Sequence, residues 1–219
     1  MSLESELGYV FIEPKRLTEA LTHRSFGQPH NERLEFIGDS VLNCVIALAL
    51  FERFPALPEG QLSRIRANLV SQPTLHALAL RLDLPQHLRI GEGEEKSGGR
   101  ERPSMLADAL EAIIGAIALD GGFEAAHRVV LRLYEHRLAA IDPREGGKDP
   151  KTRLQEYLQG RHLPLPVYRV ERIEGEAHAQ LFTVRCSVTS LGHETQGRGS
   201  SRRAAEQQAA EALLKLLGQ

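Results

Sequence analysis

The chain of 219 residues contains no tryptophan, two cysteines and only 5% aromatic residues. With Cys44 and Cys186 alone, and each inside an apolar run, a disulfide-stapled secreted scaffold is excluded and the usage fits a reducing compartment. No run reaches the roughly 18 uncharged apolar residues of a membrane span. The opening MSLESELGYV lacks the basic and apolar regions of a signal peptide. The expectation is a cytoplasmic protein with no membrane contact. Scarce aromatics also disfavour single-strand recognition by base stacking, for which the C-terminal part offers only Tyr157, Tyr168 and Phe182. No Ser/His/Asp or Cys/His arrangement has a recognisable spacing. The Gly91–Arg100 stretch is not followed by the Gly-Lys-Ser/Thr of a P-loop.

What is present is a chain 42% apolar and 26% charged, enough for a packed core. The net charge of -2 conceals a division. Residues 1–142 carry 15 basic against 20 acidic side chains, whereas residues 143–219 carry 12 against 9. A basic part can approach a polyanion while an acidic part holds cations. The boundary falls in Ile141-Asp-Pro-Arg-Glu-Gly-Gly-Lys-Asp-Pro150, whose prolines and glycines forbid a continuous helix. The expected division is 1–142, a linker at 143–149, and 150–219.

Before the linker the pattern is helical. Pro14 opens a short helix. A long one runs from Asn31 to about Phe54, with Leu34, Ile37, Val41, Leu42, Val45 and Leu48 at helical spacing. Leu62–Leu69 and Thr74–Leu80 follow, separated by Pro73. Gly91–Arg100 reads as a polar loop. Ser104 caps a helix from Met105 to about Leu119, and a last helix covers Phe123–Ala139. After the linker, a helix at 151–159 precedes β-rich segments at 167–173, 181–188 and 193–199. Ser201 then caps a final helix bearing Ala205, Ala209, Ala212, Leu213 and Leu216. The fold class is α+β overall, an all-α domain followed by a small α-β-β-β-α domain.

Two carboxylate groupings stand out. On the long helix Glu35 and Asp39 point within roughly 40° of each other, with Glu32 one turn earlier. Such a stripe repels itself, so Arg24, Arg33 or a divalent cation must offset it. Asp108 and Glu111 share a face of the later helix inside the apolar run Met105–Ile114. Each pair alone can be a solvated helix face. If the two helices pack together, four carboxylates converge, and such hard oxygen donors suit Mg²⁺ or Mn²⁺ rather than zinc. His23 reads as a structural histidine. In the basic part, Gly197-Arg-Gly-Ser-Ser-Arg-Arg203 opens the final helix. Arg202 and Arg203 oppose the dipole there, a placement that is unfavourable unless an anion such as a nucleic-acid phosphate arrives.

His30-Asn-Glu-Arg-Leu-Glu-Phe-Ile-Gly-Asp-Ser-Val-Leu42 resembles the signature of bacterial ribonuclease III. Leu21–Ser25, Lys96–Gly99 and Leu106–Gly115 support the resemblance, and 149–159 with 199–203 resemble the family's double-stranded RNA-binding domain. It implies an endoribonuclease that cuts both strands of duplex RNA, including precursor ribosomal RNA and other structured transcripts, leaving 5′-phosphates and short 3′ overhangs. A metal-activated water would attack phosphorus. It places the metal carboxylates on Glu35, Asp39, Asp108 and Glu111, and further acidic residues of the catalytic valley on Glu32 and Glu59. Phe36 would enter a socket on the partner of a homodimer. RNA contacts would fall on Thr152, Gln155, Glu156, His178, Ser201, Arg202 and Arg203. No organic cofactor is implied. A catalytically inactive double-stranded RNA-binding protein and a ribosome-assembly component are the competing classes; the intact quartet and the basic domain argue against them.

Overall fold

The computed structural model describes residues 2–142, 149–175 and 180–218, and the chain divides into two compact units, Met1–Gly147 and Lys148–Gln219. Among the described residues of the first unit, nine α-helices follow one another: α1 (Leu3–Leu7), α2 (Pro14–Ala20), α3 (Glu32–Arg53), α4 (Glu59–Leu69), α5 (Gln72–Arg81), α6 (Leu84–His87), α7 (Glu92–Lys96), α8 (Pro103–Gly121) and α9 (Phe123–Ala139). Its only extended pairing among the described residues is an isolated bridge between Thr22 and Arg89. α8 is the axis of the core. Leu106, Leu110, Ile113 and Ile117 on it are completely buried, as are Leu42 and Ile46 of α3. By length and composition α3 is the one described helix able to cross a membrane. Here Leu34, Leu42, Val45, Ile46 and Leu50 are buried in the helical core, and the exposed side mixes charged and polar residues with Phe36, Leu48 and Phe51.

Several local expectations are corrected. Pro73 does not separate two helices but sits in the first turn of α5, where a missing N–H costs nothing. Pro103 likewise opens α8, so Ser104 lies inside that helix and not at its cap. The polar segment at 91–100 contains α7 and a 3₁₀ turn at Gly99–Glu101. The short helices α1 and α6 carried too few residues to show a period.

The second unit has α10 (Pro150–Gln159), β1 (Val167–Glu174), β2 (Leu181–Val188), β3 (His193–Gly199) and α11 (Arg202–Leu216). The strands form one antiparallel sheet in the order β1-β2-β3. Val184, Cys186 and Val188 alternate along β2 and are buried, and Cys186 and Val188 cluster with Leu154 and Leu158 of α10 and with Ala209, Leu213 and Leu214 of α11. Leu216, expected on that stripe, is 56% exposed. The period drifts off the sheet at the helix end. Asp149 caps α10 by accepting from the Thr152 N–H, and the Ser201 hydroxyl caps α11 by accepting from Ala204 N–H.

Candidate metal centre and RNA-binding face

The closeness of α3 and α8 rests on two glycines. A Cβ on Gly38 would stand 1.7 Å from the Glu111 carbonyl oxygen, and one on Gly115 would stand 2.1 Å from that of Leu34. Each glycine costs its helix about 1 kcal/mol relative to alanine. In exchange the backbones touch, and the side chains one turn away on either helix are drawn together. Oxygen atoms of Glu35, Asp108 and Glu111 lie within 4.8 Å of one another. Mid-helix glycine is the signal that marks this contact in the sequence.

The electrostatics of the three carboxylates are those of a group short of positive charge. Burial pushes the Glu111 carboxyl up to about 8, with Asp39, Asp108 and Glu35 adding repulsion. Glu35 is raised by burial and then by Asp108, Glu32 and Asp39. Asp108 is raised by burial, with His23 opposing the shift. Asp39 is exposed and accepts from Asn43 Nδ2 at 2.9 Å. It acts on Glu35 and Glu111 through its charge without joining the tightest trio. Arg24 is taken up by Glu32, at 3.1 Å. Among the described residues no cationic side chain pairs with Glu35 or Glu111. An all-oxygen, partly buried and uncompensated set fits Mg²⁺ or Mn²⁺.

A cleft of about 310 Å³ opens beside this group, lined by His23, Glu32, Glu35 and Asp108 and also by Glu94 and Arg102. The last two are joined at 3.0 Å and were not suggested by the sequence, because the segment bearing Glu94 read as a loop. His23 Nδ1 accepts from the Ser25 N–H at 3.2 Å and lies 2.8 Å from its hydroxyl. Glu59 is not part of this wall. It stands at the start of α4, where its carboxylate accepts from the Ser63 hydroxyl at 2.6 Å. Phe36 is 72% exposed on α3.

In the second unit Thr152, Gln155 and Glu156 are exposed on one face of α10, and Ser201, Arg202 and Arg203 are exposed at the start of α11. The two helix beginnings are tied together by Lys151–Glu206 and Asp149–Arg203 pairs at 2.6 and 3.8 Å. His178 lies outside the described residues. The sequence reading of Arg202 as uncompensated without an anion needs correction. Its Nε donates to Glu206 at 2.8 Å, so a carboxylate one turn on offsets the unfavourable dipole. A pair four residues away is visible in sequence, but its burial is not.

Residues 13–138 match the family model described as Ribonuclease-III-like, and residues 150–217 match the double-stranded RNA binding motif. The Ribonuclease 3 of Aromatoleum aromaticum is 62% identical over 98% of this chain and 96% of its own. The chain belongs to the ribonuclease III family. A Ribonuclease 3 from Thiobacillus denitrificans is 60% identical over 95% of the chain and 92% of that relative. The nuclease domain of Ribonuclease III from Campylobacter jejuni, 47% identical, superposes with a TM-score of 0.61 over 64% of this chain and 96% of that one. A ribonuclease III that carries a double-stranded RNA-binding motif is an endoribonuclease acting on double-stranded RNA. The helical unit is the nuclease domain, and the α-β-β-β-α unit is the RNA-binding domain.

Proposed function

We propose that this ribonuclease III is a Mg²⁺-dependent, cytoplasmic homodimer that hydrolyses both strands of duplex RNA, with Mn²⁺ able to substitute. Its products would carry 5′-phosphates and short 3′ overhangs, and its substrates would include precursor ribosomal RNA and other structured transcripts. The domain limits are 1–142 and 150–219. The observation that carries this reading is the trio Glu35, Asp108 and Glu111, two of which line the cleft, with carboxyls raised by burial and, for Glu35 and Glu111, by repulsion from neighbouring carboxylates. Together with Asp39 these residues would hold the metal. A bound divalent cation supplies Lewis acidity, making water nucleophilic near neutral pH and offsetting charge on the phosphate. The chain's own part is to fix the carboxylates through the α3–α8 contact and to hold one cleft wall with the Glu94–Arg102 pair. Glu32 and Glu59 would support substrate, water or partner contacts.

Dimerisation is supported by the exposed side of α3. Phe36 and Phe51 are 72% and 69% exposed and, at about 100° per residue, fall within about 60° of each other. Thr152, Gln155, Glu156, His178, Ser201, Arg202 and Arg203 would contact RNA grooves and phosphates. Incubating a defined hairpin with Mg²⁺, with Ca²⁺ and without metal, and mapping both ends, tests the reading. Staggered cuts on both strands with Mg²⁺ alone are expected, and metal-independent cleavage would overturn it.

The arginines carry a separate expectation. Replacing Arg202 and Arg203 by Ala should make the slope of log K against log salt shallower by at most about two units, at roughly 0.9 per phosphate, and equally for hairpins of unrelated sequence. An unchanged slope would mean that neither arginine touches the backbone.

A further inference from the structure

Among the described residues of the RNA-binding domain, Glu206 is the one buried acidic side chain, only 7% exposed. Each of its oxygens holds a different cation. Oε2 accepts from Lys151 Nζ at 2.6 Å, and Oε1 accepts from Arg202 Nε at 2.8 Å. Burial would push this carboxyl up, but hydrogen bonds from Lys151 and Arg202 outweigh burial and hold it below the ordinary range. Lys151 is held from another side as well, with its ammonium 4.8 Å from the centre of the Tyr168 ring. Arg202 is gripped at Nε while its side chain stays 64% exposed. Among the described residues the contact of Arg202 to Glu206 is through Nε alone, which leaves the terminal nitrogens of its guanidinium, the planar fork that matches phosphate, for an anion.

We propose that Glu206 is a positioning residue for RNA binding: it fixes Arg202 through Nε so that the free end of the guanidinium meets a backbone phosphate, and it locks Lys151 beside it. The inference rests on the reading that the start of α11 faces RNA. Simple charge counting predicts the opposite of a positioning role. An acid among cations lowers the potential of the face, so removing it should strengthen attraction for a polyanion. Positioning predicts weaker binding, because an unheld arginine must be ordered anew by RNA and gives up part of the fork.

Two substitutions in the full chain separate these outcomes, read by equilibrium binding of a hairpin in EDTA and by steady-state cleavage with Mg²⁺. Glu206→Gln should weaken binding by about tenfold, the scale of one hydrogen bond to a charged group, and the loss should fall on KM. Arg202→Lys keeps the charge and leaves the Lys151–Glu206 pair intact, yet an ammonium cannot be gripped at one nitrogen and present a fork with two others. It should weaken binding by a similar factor, and the double variant should be little worse than either single one. Tighter binding by Glu206→Gln, or binding by Arg202→Lys equal to that of the parent, would overturn the proposal. Arg202→Lys decides the matter even if Glu206→Gln fails to fold. Arg202→Ala tests the underlying reading: if it leaves affinity unchanged, the RNA-facing assignment itself is wrong, whereas a loss with Arg202→Ala but not with Arg202→Lys removes only the positioning role.

Discussion

Glu111→Gln should lower cleavage by at least about 100-fold, the cost of removing one group that stabilises developing charge, while hairpin affinity stays within about twofold. The shape of the side chain is kept, the RNA-binding domain is untouched, and what disappears is one negative charge from the set that balances a cation. A second signature makes the expectation specific to the site. In the metal-free fold the Glu111 carboxyl stands near 8, against an ordinary value of 4.5. Between those values the folded chain keeps a proton that the unfolded chain has released. Stability without metal therefore falls as pH rises from about 5 to about 8, and then levels. Glutamine cannot ionise, so the variant should lose that dependence and melt higher than the parent at pH 8 in EDTA, while matching it near pH 5. Mg²⁺ should raise the melting temperature of the parent more than that of the variant. Joint loss of cleavage and binding, or a lower melting temperature at pH 8, would refute the role given to Glu111.

Gly38→Ala should be the most damaging single methyl group in the nuclease domain. Alanine is the better helix former by about 1 kcal/mol, so on propensity alone the change stabilises α3. The added Cβ, however, meets the Glu111 carbonyl at 1.7 Å and the Gly115 nitrogen at 3.0 Å. These are backbone atoms in a second helix, and no rotamer relieves the overlap. The helices must part, opening the contact that buries Leu42, Ile46, Leu110 and Ile114. A loss on the order of 3 kcal/mol is expected, measured as a shift of the denaturant midpoint at unchanged slope. Because the same contact draws the carboxylates together, cleavage should be lost even under conditions where the variant remains folded. A variant as stable as the parent, with normal cleavage, would show that the helices are not packed this closely.

Both predictions depend on relations of unequal legibility in the chain. Periodicity places α3, α9, β2 and α11, because each buries one face and its apolar residues recur at the element's own period, whereas α8 is buried nearly all round and β1 and β3 are marked by β-forming residues and a turn. The pairs Glu35/Asp39 and Asp108/Glu111 are also legible as pairs, since residues one turn apart share a helix face. The roles of Pro73 and Pro103 depended on which side of each proline the chain turned. The short helices α1 and α6 are held by the burial of Leu3, Leu7 and Leu84, and α7 by ion pairs of Glu94 and Glu95 with Arg102 and Arg100, rather than by any repeat of their own.

What the linear order alone determined was an acidic helical part, a basic α+β part and two candidate carboxylate pairs. Whether those pairs meet was decided only in three dimensions, where Gly38 and Gly115 let two backbones touch. Tertiary structure also decided that Glu206 is buried between Lys151 and Arg202 and so answers the charge that looked uncompensated in sequence. Local spacing fixes which side chains share a face. Burial and close approach are long-range properties, set by what the rest of the chain packs against that face, and they convert a row of acids into either surface charge or a site for a cation.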